Sequence, residues 1–160
     1  MITPRQSHWS DPLNRLGNRG IANTPKYTYN CGGYALGTYC WYWPGRTEEE
    51  HDEIMLYAED EDWDNALKLA AEAIIGELDG WQLAPQQAVM AREYDPCQYE
   101  IVAMRFCEYD YHFWKLGRNW NWYDKMGSAG WIDRHSFQSV LYSTWCGRYD
   151  SPIVFFVRTR

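Results

Sequence analysis

A cysteine near the start of the chain has the sequence context of a nucleophile. Cys31 stands in "NCGGYALG", where Asn30 can act as the N-cap of a helix that begins at the cysteine. The free backbone N–H groups at a helix start stabilise a thiolate and can donate to the oxyanion that forms when it attacks a carbonyl. Gly32 and Gly33 place no side chain beside the sulfur, so we expect a cleft open to substrate there.

The partners that a thiolate needs come from one predicted β-hairpin. His112 lies in "DYHFWKLG", and a histidine that is neutral near pH 7 can accept the thiol proton. Asp124 lies in "NWNWYDKMG", beyond a turn predicted at 117–119, and a carboxylate there would orient the imidazole ring. The sequence therefore predicts a catalytic triad of Cys31, His112 and Asp124.

Several other side chains remain open candidates for the same site. Asn119 and Asn121 could orient the imidazole instead of Asp124, and His135 or His8 could replace His112 as the base. Trp120, Trp122 and Trp131 are candidates for the walls of the substrate cleft beside Asp124, together with Asn30 near the sulfur. We expect His51, within a run of acids, to lie on the surface.

Two blocks of the sequence, 30–37 and 110–127, resemble papain-like cysteine hydrolases of the NlpC/P60 and CHAP type, in particular their small phage and bacterial members. The resemblance implies a helix-borne Cys31 as nucleophile, packed on an antiparallel sheet that carries His112 as base and Asp124 as orienting group. It also implies cleavage of an amide or peptide bond through a thioester acyl-enzyme, with peptidoglycan peptide as the first choice of substrate. The family pattern has histidine where this chain has Asp124, while Lys125 and Gly127 follow it as in the pattern.

Hydrophobic periodicity predicts the elements that would position these residues. Helices are expected over 31–43, from about Thr47, and over 62–78, where apolar residues recur every three or four positions. Strands are expected at "YEIVAMRFCEY", on both sides of the 117–119 turn, and at "PIVFFVRTR". We therefore predict a single α+β domain over 1–160, papain-like, with N-terminal helices packed on an antiparallel sheet formed by the C-terminal half.

Composition limits the other possibilities. Aromatic residues make up 18% of the chain, and most are expected in the core rather than in a groove that stacks flat groups. The five cysteines are odd in number and lack CxxC spacing, so neither a disulfide framework nor a zinc site is predicted. We expect no metal and no cofactor, and we interpret Cys40, Cys97, Cys107 and Cys146 as small buried hydrophobic residues.

The acidity of the chain is concentrated in one segment. Residues 47–64 contain ten acids and no Lys or Arg, whereas the remaining residues carry 12 acids against 15 bases. Such a run is usually a solvated helix face, and it can also bind a basic protein partner. The alternative function is therefore a non-enzymatic phage-type interaction or inhibitor protein that acts through this acidic helix. No basic stripe accompanies it, so nucleic-acid binding is not expected.

The sequence contains no pattern typical of targeting or of membrane insertion. No stretch approaches the roughly 20 apolar residues of a membrane helix, and the first residues lack the apolar core of a signal peptide. We expect a protein that is cytoplasmic as synthesised and has no membrane partner. Association with a virion, or export by a route other than the Sec pathway, would fit this pattern.

Overall fold

The computed structural model describes residues 29–39, 41–125, 132–142 and 149–160. Five helices and six strands are formed within these ranges. In chain order they are α1 (Cys31–Ala35), α2 (Glu48–Glu59), α3 (Trp63–Glu77), β1 (Gln82–Ala84), α4 (Gln86–Met90), β2 (Tyr99–Phe106), β3 (Tyr111–Leu116), β4 (Trp122–Lys125), β5 (Ile132–His135), α5 (Ser139–Tyr142) and β6 (Val154–Thr159).

The strands form one sheet in the order β1-β6-β2-β3-β4-β5, and all neighbours are antiparallel. The last strand in sequence, β6, lies between β1 and β2 and is therefore paired on both edges. Helix α1 contacts β3 and β4, and α3 contacts β1 and β2. The prediction of an α+β protein, with helices in the first half and an antiparallel sheet in the second, is confirmed at this level.

The first helix is much shorter than predicted. It ends at Ala35 instead of continuing to Trp43, so the prediction of a helix over 31–43 was wrong. Gly37 and Tyr39 adopt positive φ angles of 74° and 52°, which a right-handed helix cannot contain. The chain then folds back so that the backbone of Tyr42 meets the Asn30 side chain. Tertiary hydrogen bonding therefore outweighs the helical preference of "YALGTYCWYW".

The two longer helices agree with their predictions. Helix α2 begins after Thr47, whose hydroxyl accepts from the Glu50 N–H at 3.1 Å, as the N-cap pattern indicates. Helix α3 begins after Asp62, whose side chain accepts from the Asn65 N–H in the same way. The apolar stripe of α3 is buried against the sheet, and burial of this stripe provides most of the helix's stability.

Both faces of the sheet are covered by apolar residues. Along β2, Val102 and Met104 pack in a cluster with α1, α2 and α3, whereas Ile101 and Ala103 pack in a second cluster with α4 and α5. Successive side chains of a strand point to opposite faces, so a continuous apolar run is what a strand buried on both sides requires. The β3–β4 hairpin continues this sheet.

The β3–β4 hairpin turns where it was predicted. The Gly117 N–H donates to the Asn121 carbonyl, and the Trp120 N–H donates to the Gly117 carbonyl. A side chain at position 117 would place its Cβ 2.6 Å from a ring carbon of Tyr123, so only glycine fits this turn. The register pairs Leu116 with Trp122 and Lys115 with Tyr123, so the start of β4 lies beside the end of β3.

Candidate active site

Cys31 is the first residue of α1, and it is buried, with 5% of its surface exposed. The Asn30 side chain caps the helix by accepting from the Gly33 N–H at 3.0 Å. The Tyr34 N–H donates to the Asn30 carbonyl. These two N–H groups are engaged within the helix start, and among the described residues we regard those of Cys31 and Gly32 as the candidate donors to an oxyanion.

Asn30 is a structural cap and does not line a cleft. Its Oδ1 also accepts from the Tyr42 N–H at 3.0 Å, and its Nδ2 donates to the Tyr42 carbonyl at 2.8 Å. The residue is 4% exposed. The assignment of Asn30 to the substrate cleft was therefore wrong, because its side chain pairs the returning strand-like segment with the helix start instead of facing a ligand.

The two glycines after Cys31 are also buried, contrary to the expectation of an open cleft at Gly32 and Gly33. A Cβ on Gly32 would lie 3.1 Å from Cδ1 of Tyr42 and 3.3 Å from Cδ2 of Phe113. Gly32 is therefore needed for the close approach of α1 to β3 and to the segment of Tyr42. Close packing, rather than access to the sulfur, accounts for this residue.

His112 and Asp124 form a buried pair, as the hairpin pattern predicted. Nε2 of His112 lies 2.7 Å from Oδ2 of Asp124, and the two residues are 4% and 0% exposed. A carboxylate can only accept, so Nε2 of the imidazole carries the hydrogen. His112 is also hydrogen-bonded to the Cys31 side chain, for which Nδ1 is the remaining ring nitrogen. The structure thus brings together all three predicted triad residues.

The protonation of His112 depends on this arrangement. Burial disfavours the charged imidazolium, but the charge of Cys31 and the hydrogen bonds to Asp124 and Cys31 outweigh it and raise the pKa of His112 to about 9. His112 therefore holds a second proton at neutral pH when Cys31 is ionised.

The alternative orienting residues do not reach the imidazole. The Asn119 side chain donates to the Tyr123 hydroxyl at 2.8 Å, within the turn, and its Oδ1 accepts from the Asn121 N–H. His135, proposed as an alternative base, lies on β5 instead and places its Nε2 2.7 Å from Oδ1 of Asp124. His8 lies outside the described residues. Asp124 is therefore the carboxylate that accepts from His112, and its other oxygen accepts from His135.

Two neighbours of His112 were missed by the sequence analysis. The Tyr149 ring stacks on the imidazole at 5.1 Å between centroids, and its hydroxyl donates to Asp110. Arg105 is paired with His112 across β2 and β3, and its guanidinium donates to the carbonyls of Ser151 and Leu141. Strand alternation would have placed Arg105 beside the histidine once the register was known. No local signal marks Tyr149, which comes from a distant segment.

Tyr111 supports the cysteine from the other side. Its hydroxyl donates to the Tyr42 carbonyl at 2.8 Å. Burial and the nearby Cys31 and Asp110 charges raise the pKa of Tyr111 well above its ordinary value. Tyr111 is thus a neutral donor at every pH at which the protein would work, and it links the fold-back at Tyr42 to the strand that carries His112.

Trp122 and Trp120, predicted as cleft walls, pack in and against the core. Trp122 is completely buried, stacks on Phe137 and donates to the Phe137 carbonyl, so its assignment to the substrate cleft was wrong. Trp120 packs edge-on against Phe137 and lies beneath the Arg92 guanidinium, in the cluster on the α4 and α5 face. Trp120 is half-buried and packs against this cluster, and its assignment as a cleft wall stays a prediction. Trp131 lies outside the described residues.

Other sequence expectations have mixed outcomes. Cys107 is buried as expected, whereas Cys97 is exposed, and Cys40 and Cys146 lie outside the described ranges. His51 is buried, not exposed, because its Nδ1 bonds to the Pro44 carbonyl at 2.7 Å and its ring packs on Trp43. Among the described residues, no group of three or more His, Cys, Asp or Glu side chains is arranged to hold a metal ion.

A groove of about 580 Å³ lies between α2 and the loop that joins β2 to β3. Its apolar lining includes Trp43, Met55, Leu56, Tyr109 and Tyr111, and Leu56 and Tyr109 are 62% and 68% exposed. The acids that line it are Asp52, Glu59, Glu108 and Asp110. Tyr111 is common to this groove and to the surroundings of Cys31.

The described residues thus form an α+β protein in which a cysteine at a helix start is linked to a histidine–aspartate pair on a β-hairpin. Comparison with family models, with curated proteins and with solved structures finds no match. None of the helices in the described ranges has the length and apolar character needed to cross a membrane.

Proposed function

We propose that this protein is a cysteine hydrolase that cleaves an amide or peptide bond. Cys31 is the nucleophile, His112 the general base and acid, and Asp124 the residue that orients the imidazole. The proposal rests on the buried 2.7 Å contact between His112 and Asp124. The Cys31 side chain is hydrogen-bonded to the same imidazole.

The geometry supports the following sequence of steps. With Asp124 holding Nε2–H, Nδ1 of His112 takes the Cys31 thiol proton. The thiolate forms a C–S bond to the carbonyl carbon, the C–N bond breaks, and His112 protonates the leaving amine. Water then attacks the thioester and gives its proton to His112 while the C–S bond breaks. The acid product leaves, and Cys31 is regenerated.

Peptidoglycan peptide is the first choice of substrate, on the strength of the resemblance of blocks 30–37 and 110–127 to NlpC/P60 and CHAP hydrolases. The papain-like form of the fold is part of the same proposal. The protein would act as an endopeptidase or amidase on the peptide part of the cell wall, as a phage-type lytic protein does.

The test compares the parent protein with Cys31→Ala on labelled peptidoglycan and on a chromogenic peptide amide. The parent should release product, and Cys31→Ala should reduce release by at least about 10³-fold, because it removes the thiol that forms the acyl-enzyme. Cys97→Ala is the matched control, since Cys97 is exposed and remote from α1 in sequence, and it should keep the parent rate. Equal rates for the parent and Cys31→Ala would refute the proposal.

A second candidate function is favoured by the acidic groove between α2 and the β2–β3 loop. Its lining includes the exposed apolar residues Leu56 and Tyr109 together with acids from both elements. Beside it, a hydrogen bond to Glu108 and the Glu108 charge raise the pKa of the Glu61 carboxyl. A bound cation would reduce the repulsion between such neighbouring carboxylates. The groove therefore suits a protein segment that carries both basic and apolar side chains, as a non-enzymatic interaction or inhibitor protein would require.

This alternative is tested with a fluorescent peptide that alternates lysine and leucine. The double variant Asp52→Asn with Glu59→Gln should weaken binding about tenfold, because it removes two acids that line the groove. Glu48→Gln with Glu49→Gln is the matched control on the same helix and removes equal charge outside the groove. If both double variants bind equally well, the groove is not the binding site.

A further inference from the structure

We propose that His135 is a fourth member of the Cys31 site, a positioning residue that holds Asp124 in the orientation needed by His112. The inference rests on the proposed function of that site. Its starting point is geometric: Oδ1 of Asp124 lies 2.7 Å from Nε2 of His135, while Oδ2 lies 2.7 Å from Nε2 of His112. One carboxylate therefore bridges two imidazoles.

The bridge determines where the hydrogens lie. An ionised carboxylate has no hydrogen to donate, so each histidine must carry its hydrogen on Nε2. For neutral His112 this leaves an unprotonated Nδ1, the nitrogen that would accept the Cys31 proton. Asp124 imposes the reactive tautomer, and His135 secures the second oxygen so that the carboxylate cannot rotate away from His112.

Burial shows why two donors are needed. Asp124 is 0% exposed, and an ionised carboxylate removed from water is costly unless its oxygens are hydrogen-bonded. The His135 side chain is 20% exposed, so the second donor comes from the rim of the sheet, where β5 is the edge strand. The β4–β5 register pairs Trp122 with His135 and Asp124 with Asp133, which places the two side chains on neighbouring strands.

A purely structural histidine would stabilise the edge strand without affecting the imidazole of His112. The tautomer of His112 therefore separates the two possibilities. Long-range ¹H–¹⁵N spectra of histidine-labelled protein report which ring nitrogen carries the hydrogen. In the parent, His112 and His135 should both be in the Nε2–H form once neutral.

The variants are chosen to separate positioning from folding. His135→Leu should cause His112 to populate both tautomers, and should slow both hydrolysis and alkylation of Cys31 by iodoacetamide about 10- to 100-fold, as expected for a misplaced base. His135→Gln can still donate to Oδ1 and should restore the single tautomer and most of the rate. Arg134→Gln, an exposed neighbour on β5, is the control and should match the parent.

Each result is decisive. If His135→Leu keeps the Nε2–H tautomer of His112 and the parent alkylation rate, the proposal is overturned. If His135→Leu fails to fold, His135→Gln is measured instead. A folded His135→Gln variant in which His112 populates both tautomers also overturns the proposal. A parent that shows the bridged tautomers and responds as expected, but hydrolyses no substrate, supports the role of His135 and refutes the proposed function instead.

Discussion

Nε2 of His112 and Oδ2 of Asp124 are 2.7 Å apart, and both residues are buried. This contact fixes the orientation of the imidazole that faces Cys31. It also makes the site depend on the hydrogen-bonding character of one side chain, which can be changed without changing its shape.

Asp124→Asn should abolish most hydrolysis while leaving the fold intact. An amide has one acceptor and one donor group, so it cannot accept from both His112 and His135, and one histidine must change its tautomer. A loss of about 10³- to 10⁴-fold in kcat is expected where the base is forced into the wrong tautomer. Asp133→Asn, the paired residue on β5, should retain the parent rate. A fully active Asp124→Asn would exclude Asp124 as the orienting group.

Stability should decrease as the pH rises past neutrality. The pKa of His112 is raised from 6.5 to about 9 in the folded protein, so its contribution is complete below pH 6.5 and is lost as the pH rises through 9. The shift corresponds to roughly 3 kcal/mol of unfolding free energy. Urea unfolding at pH 6, 7.5 and 9.5 should show the decline in the parent and a smaller one in His112→Gln. Equal pH dependence in both proteins would contradict the assignment.

Gly32→Ala should destabilise the protein by about 1 to 3 kcal/mol, the usual cost of overpacking a core. The added Cβ would lie 3.1 Å from Tyr42 and 3.3 Å from Phe113, both completely buried and unable to move aside. Gly76→Ala, within α3, is the opposite control. Its added Cβ would lie 3.8 Å from the Arg46 guanidinium, an ordinary contact distance, and the higher helix propensity of alanine should stabilise the protein by about 0.5 to 1 kcal/mol. Denaturant midpoints of the two variants should therefore move in opposite directions.

Asn30→Ala should cost about 3 kcal/mol or more, because it removes the Asn30 side chain from the buried N–H and C=O of Tyr42 and from the Gly33 N–H, although the Tyr42 carbonyl still accepts from the Tyr111 hydroxyl. Thr47→Ala removes an exposed cap of α2 and should cost only about 1 kcal/mol. Chemical denaturation measures both. A similar cost for the two variants would show that Asn30 acts as an ordinary cap and does not hold the fold-back at Tyr42.

Much of the site was predictable because it is local in sequence. Asn30 caps a helix within its own turn, and the capping preference of asparagine is an intrinsic property. His112 and Asp124 are joined by a hairpin whose turn is marked by glycine and whose strands alternate. The residues that could carry the chemistry were therefore identifiable before any tertiary contact was known.

Other parts of the site depend on packing between distant segments. The α1 helix stops at Ala35 because Asn30 binds the backbone of Tyr42, a contact that outweighs local helix propensity. Trp122 faces the layer formed by Phe137 rather than a cleft, and alternation alone does not say which face is covered. His135 reaches Asp124 only because β5 pairs with β4.

The sequence by itself determined the residue types, the helix start at Cys31 and the hairpin that pairs His112 with Asp124, since each depends on interactions within a short stretch of chain. Only the tertiary structure decided that Cys31 meets His112, that Gly32 is close-packed and that Asp124 bridges two histidines. Those contacts join residues far apart in sequence, and their free energy comes from burial and hydrogen bonds that exist only once the layers have packed.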